Sequence, residues 1–208
     1  MSAHITKVVT SGIFALDGGE WDVENNVWLV GDDAEVLVID APHDAPTIAA
    51  RIGSRRVSAI VLTHGHNDHI NAAVELAQIT GAPIWFPAAD RMLWDAEHDQ
   101  APDHDLVDGT TFKIAGSSLR AIATPGHSPG STCLYSEDLG VVFSGDTLFK
   151  GGPGATGRSY SDFDTIIESI KTHVFSLPAD TTVHTGHGDD TLIGNESPSL
   201  DEWMARGN

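Results

Sequence analysis

The chain opens on short runs of branched and aromatic residues: Val8-Val9, Ile13 to Leu16, Val27 to Val30 and Val36 to Ile39. Gly18-Gly19, Asn25-Asn26 and Gly31-Asp32-Asp33 interrupt them. Those residue types favour turns, so the pattern predicts four short strands. Asp40 and Pro42 close the last run, and Ala45 to Ile52 reads as a helix that stops near Gly53. Val57 to Thr63 is an apolar run of strand length, as expected of a strand buried on both faces. A helix from Ile70 to Ile79 follows, with Gly81 placed to cap it. Pro83 to Phe86 then reads as a strand and Ala88 to Ala96 as a short helix.

Between residues 98 and 110 Asp, His, Pro and Gly prevail and the periodicity lapses. Strands resume at Thr111 to Ile114, Ser118 to Ala123, Ser131 to Tyr135 and Val141 to Ser144. Phe163, Ile166, Ile167, Ile170 and Val174 recur at helical spacing and mark an amphipathic helix over Ser161 to Phe175. Thr181 to His184 is a last strand and Leu200 to Arg206 a closing helix. Each half runs strands then helix about a hinge near residue 105, with no internal repeat or low-complexity linker. The expectation is one domain over residues 1–208, an αββα sandwich of two mixed sheets with helices outside. Trp28, Trp85 and Trp94 lie in apolar runs and are expected in its core.

Chemistry concentrates between the predicted strand at 57–63 and the helix after it. In His64-Gly65-His66-Asn67-Asp68-His69, four of six residues are metal ligands by type. Donors at 64 and 66 can close on one ion and leave Asp68 and His69 to face a second. Imidazole with carboxylate suits zinc, manganese or iron, and no thiolate is present to make a soft structural site. His127, Asp146 and His187 each follow a predicted strand and adjoin glycine, in Gly126-His127, Gly145-Asp146 and Gly186-His187-Gly188. Glycine there lets backbone approach an ion closely, and strand-end loops are where a rigid scaffold presents functional groups.

Composition narrows the partners. Lys plus Arg number 11 against 30 Asp plus Glu, a formal charge of −19, which disfavours nucleic acid. No apolar run approaches membrane-spanning length, and Met1 to Lys7 lacks the apolar stretch of a signal peptide, so the cytoplasm is expected. The one cysteine, Cys133, lies in an apolar run and reads as a small buried hydrophobe, not a nucleophile. A homo-oligomer is left open.

The His-x-His-x-Asp-His turn, a later His, an Asp and a final His resemble the metallo-β-lactamase superfamily, from Val27 to about Gly194. By that resemblance His64, His66 and His127 hold a first metal, Asp68, His69 and His187 a second, and Asp146 bridges both. It implies the αββα fold as well. Thr124-Pro125-Gly126-His127-Ser128-Pro129-Gly130-Ser131, Ser144-Gly145-Asp146-Thr147-Leu148-Phe149 and Gly186-His187-Gly188 look most like glyoxalase II and its single-domain relatives, which hydrolyse thioesters of small thiols. The commonest zinc β-lactamases carry Cys where Asp146 stands and no His at the place of His69, which argues against antibiotic hydrolysis. Gly157-Arg158-Ser159-Tyr160-Ser161-Asp162-Phe163 resembles the family's Gly-Arg-Thr-Asp-Phe segment with an insertion.

The resemblance implies a hydroxide held between two divalent ions, zinc foremost and iron or manganese as alternatives, attacking a small thioester or ester. Asp68 would both bind metal and orient that nucleophile. Asp40 matches an Asp that supports the ligands, with Thr63 and Ser144 as further supports on the same grounds. Lys150, Arg158 and Tyr160 are candidates to meet an anionic substrate. The competing readings are a persulfide dioxygenase using one iron, a lactonase or other esterase on the same centre, and a non-catalytic metal-bound module.

Overall fold

The computed structural model describes residues 3–207. Its first sheet runs β1 (His4–Leu16), β2 (Gly19–Gly31), β3 (Glu35–Ile39), β4 (Arg56–Val61), β5 (Ile84–Phe86) and β6 (His104–Asp105), in that spatial order. β1 to β3 are antiparallel, whereas β3 to β6 pair in parallel. The second sheet comprises β7 (Thr111–Ile114), β8 (Ser117–Ala123), β9 (Thr132–Ser136) and β10 (Val141–Gly145), followed in the chain by a small ribbon of β11 (Leu148–Phe149) and β12 (Gly152–Pro153). β13 (Thr182–Thr185) and β14 (Thr191–Leu192) complete it, in the spatial order β14-β13-β10-β9-β8-β7. It too is mixed, since β10 and β13 are parallel and its other pairs antiparallel.

Side chains alternate across a strand, and here both faces of the central strands of both sheets are covered, whereas β1 and β6 are largely exposed or half-buried. Leu37, Ile39, Val30 and Val61 on one sheet meet Leu119, Ala121, Leu134 and Phe143 on the other, all buried. The intervening residues Val36, Val38, Leu29 and Ile60 face outward against Ile48 and Ile52 of α1 (Ala45–Ile52). α2 (Asn67–Ile70) and α3 (Ala73–Thr80) follow β4, and Leu76 of α3 joins that outer cluster, as does Trp94 of α4 (Arg91–Glu97). Behind the second sheet, Ile122, Cys133, Val142 and Val183 pack on Ile166 and Ile167 of α5 (Phe163–Ser169). α6 (Ile193–Glu196) and α7 (Leu200–Arg206) close that side with Ile193 and Trp203. Three clusters separated by two sheets make the four-layer αββα sandwich expected. Cys133 is fully buried in the cluster behind the second sheet, as a small hydrophobe. No helix among the described residues is long and apolar enough to cross a membrane.

Several sequence expectations need correction. The first runs are not four short strands: Val8-Val9 and Ile13 to Leu16 belong to one 13-residue strand, paired throughout with the 13-residue β2. Its turn is at Asp17-Gly18, both with positive φ (54° and 77°), which suits a two-residue hairpin loop. Asn25-Asn26 is therefore no turn but buried strand interior. The helix expected from Ile70 is split into α2 and α3, and that expected at Ser161 to Phe175 ends in a wider turn over Ile170–Val174. Trp28 and Trp94 are buried as expected, while Trp85 is only partly so.

Candidate metal centre

The loops that carry the candidate ligands leave the ends of β4, β8, β10 and β13. His64 lies three residues past β4, His127 four past β8, Asp146 directly after β10, and His187 two past β13. All seven residues converge in one cleft. His64 Nε2 and His127 Nε2 lie 3.1 and 2.9 Å from His66 Nδ1. On the other side His69 Nε2 and His187 Nε2 are 3.2 Å apart, and Asp68 Oδ2 is 3.3 Å from His187 Nε2. Asp146 stands between the two sets. Its Oδ1 is 3.3 Å from His69 Nε2, and its Oδ2 is 3.3 Å from His187 Nε2 and 3.6 Å from His127 Nε2.

Glycine makes this closeness feasible at two points. Gly145 has a positive φ of 48°, and a Cβ there would meet Thr63 Oγ1 at 2.5 Å. A Cβ on Gly186 would lie 2.2 Å from Asp146 Oδ1.

The outward ring nitrogens of His64, His69, His127 and His187 are held by neighbours, which turns the other nitrogens inward, whereas Nε2 of His66 is buried without a partner. Asp40 Oδ2 is 2.8 Å from His69 Nδ1, and Asp40 itself accepts from Thr63 N and Thr63 Oγ1. His127 Nδ1 donates to Ala155 O and His187 Nδ1 to Glu24 O, each at 2.8 Å. Thr63 Oγ1 is 3.1 Å from His64 Nδ1. Asp40 and Thr63 thus stand beside ligand candidates, whereas Ser144 donates to Leu148 O instead.

Electrostatics divide the two sets. Burial, then His69, holds His64 well below its ordinary pKa, and burial, then His127, pushes His66 down to about 3. These imidazoles are neutral, with lone pairs facing one another. At the other set burial opposes charge, yet Asp146 lifts His187 to about 10 and raises His69 well above its usual value. Two carboxylates there recruit positive charge. Asp146 Oδ1, buried beside them, has no hydrogen-bond partner. Crowded imidazole lone pairs and an orphaned carboxylate oxygen fit cations, and three donor triads have geometry able to hold an ion: His64-His66-His127, His64-His69-Asp146 and Asp68-His69-His187.

A family profile described as the metallo-beta-lactamase superfamily matches residues 21–187, the stretch that carries all seven donors. The chain belongs to that superfamily. Among its superfamily relatives, hydroxyacylglutathione hydrolase GloC of Haemophilus influenzae is 33% identical over 193 residues, which cover 85% of this chain and 91% of the relative. The solved structure of TTHA1623 in a di-iron-bound form is 28% identical at a TM-score of 0.76, covering 84% of this chain and 93% of that one. That of the BLEG-1 B3 metallo-beta-lactamase is 27% identical at 0.74, covering 91% and 97%.

Of the three residues considered for substrate contact, Arg158 lines the cleft. Lys150 lies outside its lining and pairs with Asp189 at 3.0 Å, and Tyr160 is an exposed loop residue also outside it. Two supporting residues were missed from sequence. Asn25 is buried within hydrogen-bonding distance of Asp68, His69 and His187, with His43 on its far side. Asp90, fully buried at the start of α4, accepts from Gly65 N, Ser128 Oγ and Gly130 N, and so ties the His64–His66 loop to the loop after His127. A polar pair set directly before a buried strand run is the one sequence signal for Asn25. A lone Asp at a helix start gives none.

Proposed function

We propose that the protein is a metal-dependent hydrolase that holds two divalent ions, zinc foremost, and cleaves a thioester of a small thiol. His64, His66 and His127 would hold one ion, Asp68, His69 and His187 the other, with Asp146 shared. The observation that carries this reading is Asp146, whose carboxylate reaches members of both donor sets within 3.3 to 3.6 Å. The hydroxyacylglutathione hydrolase relative and the di-iron neighbour support it.

Bound divalent ions supply Lewis acidity, which polarises a carbonyl and makes water acidic enough to deprotonate near neutrality. The chain does the remainder. Asp40, Glu24 O and Ala155 O fix the imidazoles in the tautomer that presents a lone pair. Asp68, tied to Asn25, would hold an ion and orient the attacking water. Phe14, Trp21 and Phe149 wall the cleft and shed water from a bound acyl group.

A mononuclear-iron dioxygenase needs only one donor set, yet Asp68, His69 and His187 are assembled as fully as the other three. The test uses metal analysis and a thioester panel on one preparation. Hydrolysis should proceed without oxygen and with zinc or manganese installed. His69→Ala should lower it by orders of magnitude, each tenfold being about 1.4 kcal/mol of transition-state stabilisation. Oxygen uptake with glutathione persulfide, surviving His69→Ala and absent from the zinc form, would overturn the proposal.

A further inference from the structure

Among the described residues that line the cleft, Arg158 is the one lysine or arginine, in a protein with a formal charge of −19. Its guanidinium carbon lies 3.8 Å from the centroid of Trp21 and 5.3 Å from that of Phe14, both on the β1–β2 hairpin. A guanidinium stacked on an aromatic face keeps its N–H edge free for a second partner, and stacking limits its rotamers. Asp17 is the acid at hand, but its carboxylate takes Ser159 N at 3.0 Å and Ser159 Oγ at 2.5 Å. Those bonds fasten the loop to the hairpin tip. Among the described residues no carboxylate pairs with Arg158 within 4.0 Å, although Asp17 is near enough to feel its charge.

Position narrows what this cation can meet. Phe14 touches both sides, its ring 5.2 Å from that of His66 and 5.3 Å from Arg158. Arg158 is therefore two contact steps from a donor imidazole, across an aromatic wall. An acid group one small ring or a few carbons from the scissile carbonyl reaches it. The phosphates of coenzyme A, at the far end of a long flexible arm, would overshoot.

We infer that Arg158, shelved on Trp21, is an anion subsite that selects short thioesters bearing a carboxylate close to the scissile bond. The inference rests on the hydrolase reading for the reaction but not for the binding. A planar fork meets a carboxylate with two parallel charge-assisted hydrogen bonds, which an uncharged amide cannot match. The overall negative field disfavours anions elsewhere on the surface, so preference is expressed at this one place.

The experiment measures binding and turnover separately, on the metal-loaded protein. Titration calorimetry with 4-(methylthio)benzoate and 4-(methylthio)benzamide, in which a thioether replaces the thioester, should show the acid bound on the order of tenfold tighter. That ratio should fall towards one in Arg158→Gln. It should be intermediate in Arg158→Lys, which keeps the charge but loses the fork, and in Trp21→Ala, which keeps the fork but loses the Trp21 shelf. In turnover, 4-(acetylthio)benzoate should be favoured over 4-(acetylthio)benzamide through KM, whereas acetyl-coenzyme A should show no dependence on Arg158. Equal binding of acid and amide by the unaltered protein, or a preference that survives Arg158→Gln, would overturn the inference. An acid preference in binding with no thioester hydrolysed would instead sink the hydrolase reading and leave the subsite standing.

Discussion

Asn25 Nδ2 donates to Asp68 Oδ2 across 3.0 Å, from a strand 43 residues away in sequence. The direction of that bond is set from behind. Asn71 Oδ1 accepts His43 N at 2.6 Å, which places Asn71 Nδ2 on His43 Nδ1 at 3.2 Å. With Nδ1 accepting, His43 Nε2 donates to Asn25 Oδ1 at 2.9 Å, and the amide nitrogen of Asn25 is left facing the carboxylate. Partners of this kind typically govern 10–100-fold, roughly, of metal affinity. Asn25→Ala should therefore weaken metal binding at the Asp68-His69-His187 set by about that factor while the other set retains its ion. Metal titration followed by competition with a chromogenic chelator would check it. Equal loss at both sets would refute it.

Gly186 offers a sharper probe. An added methyl would sit 2.2 Å from Asp146 Oδ1 and 2.8 Å from His69 Cε1. Gly186→Ala should displace the carboxylate proposed to be shared, so metal content falls at both sets while circular dichroism stays unchanged. Asp146→Ala should give the same pattern. Full occupancy in either variant, by elemental analysis, would show that Asp146 is not shared.

Asp90 should matter for stability as well as for the metal. Removing its carboxylate leaves Gly65 N, Gly130 N and Ser128 Oγ without that acceptor in the interior. An unsatisfied buried polar group costs about 1–3 kcal/mol. Asp90→Ala should lower the thermal midpoint and loosen the His64-His66-His127 set. Asp90→Asn, which keeps one acceptor oxygen, should fall between. Calorimetry of the metal-free forms separates the stability effect from the metal effect.

Metal removal should destabilise the fold. An ion that binds only the native state adds about 4 kcal/mol when present at roughly a thousand times its dissociation constant. A chelator should therefore lower the thermal midpoint, with zinc or manganese restoring it. His69→Ala should shrink the response, and a midpoint indifferent to chelator would contradict the proposed site.

The sequence shows the His64 to His69 motif because its donors are local, within one turn. His127, Asp146 and His187 lie on separate loops, and only their glycine neighbours and the superfamily pattern connected them. The strand runs were legible because side-chain alternation on both faces leaves continuous apolar stretches such as Val36 to Ile39. Asn25-Asn26 defeated the local rule. Asn favours turns, but here Asn26 N bonds Gly186 O and its side chain bonds Thr185 O and Gly188 O, contacts with the far sheet that no short window contains. Asp90 was silent for the same reason, since its three partners lie 25 to 40 residues away. The single helix expected after the motif is split because Ala72, between its two pieces, bonds back to Ala41.

The β1–β2 hairpin supplies Phe14 and Trp21 to the rim, and the 157–161 loop supplies Arg158, yet neither segment contributes any of the seven donors. Rim and floor can therefore vary under different constraints. A change at the hairpin tip or its Asp17–Ser159 fastening can retune which substrates enter without replacing any donor, the tip meeting the His64–His69 loop through Phe14 and the backbone bonds of Ile13 and Ala15 to Asn67. Substitutions in the floor have no such latitude, because each donor loop is wedged against another. A lineage could then pass through many substrate preferences while its reaction stayed fixed, and differences among such proteins would gather at the tip of one hairpin.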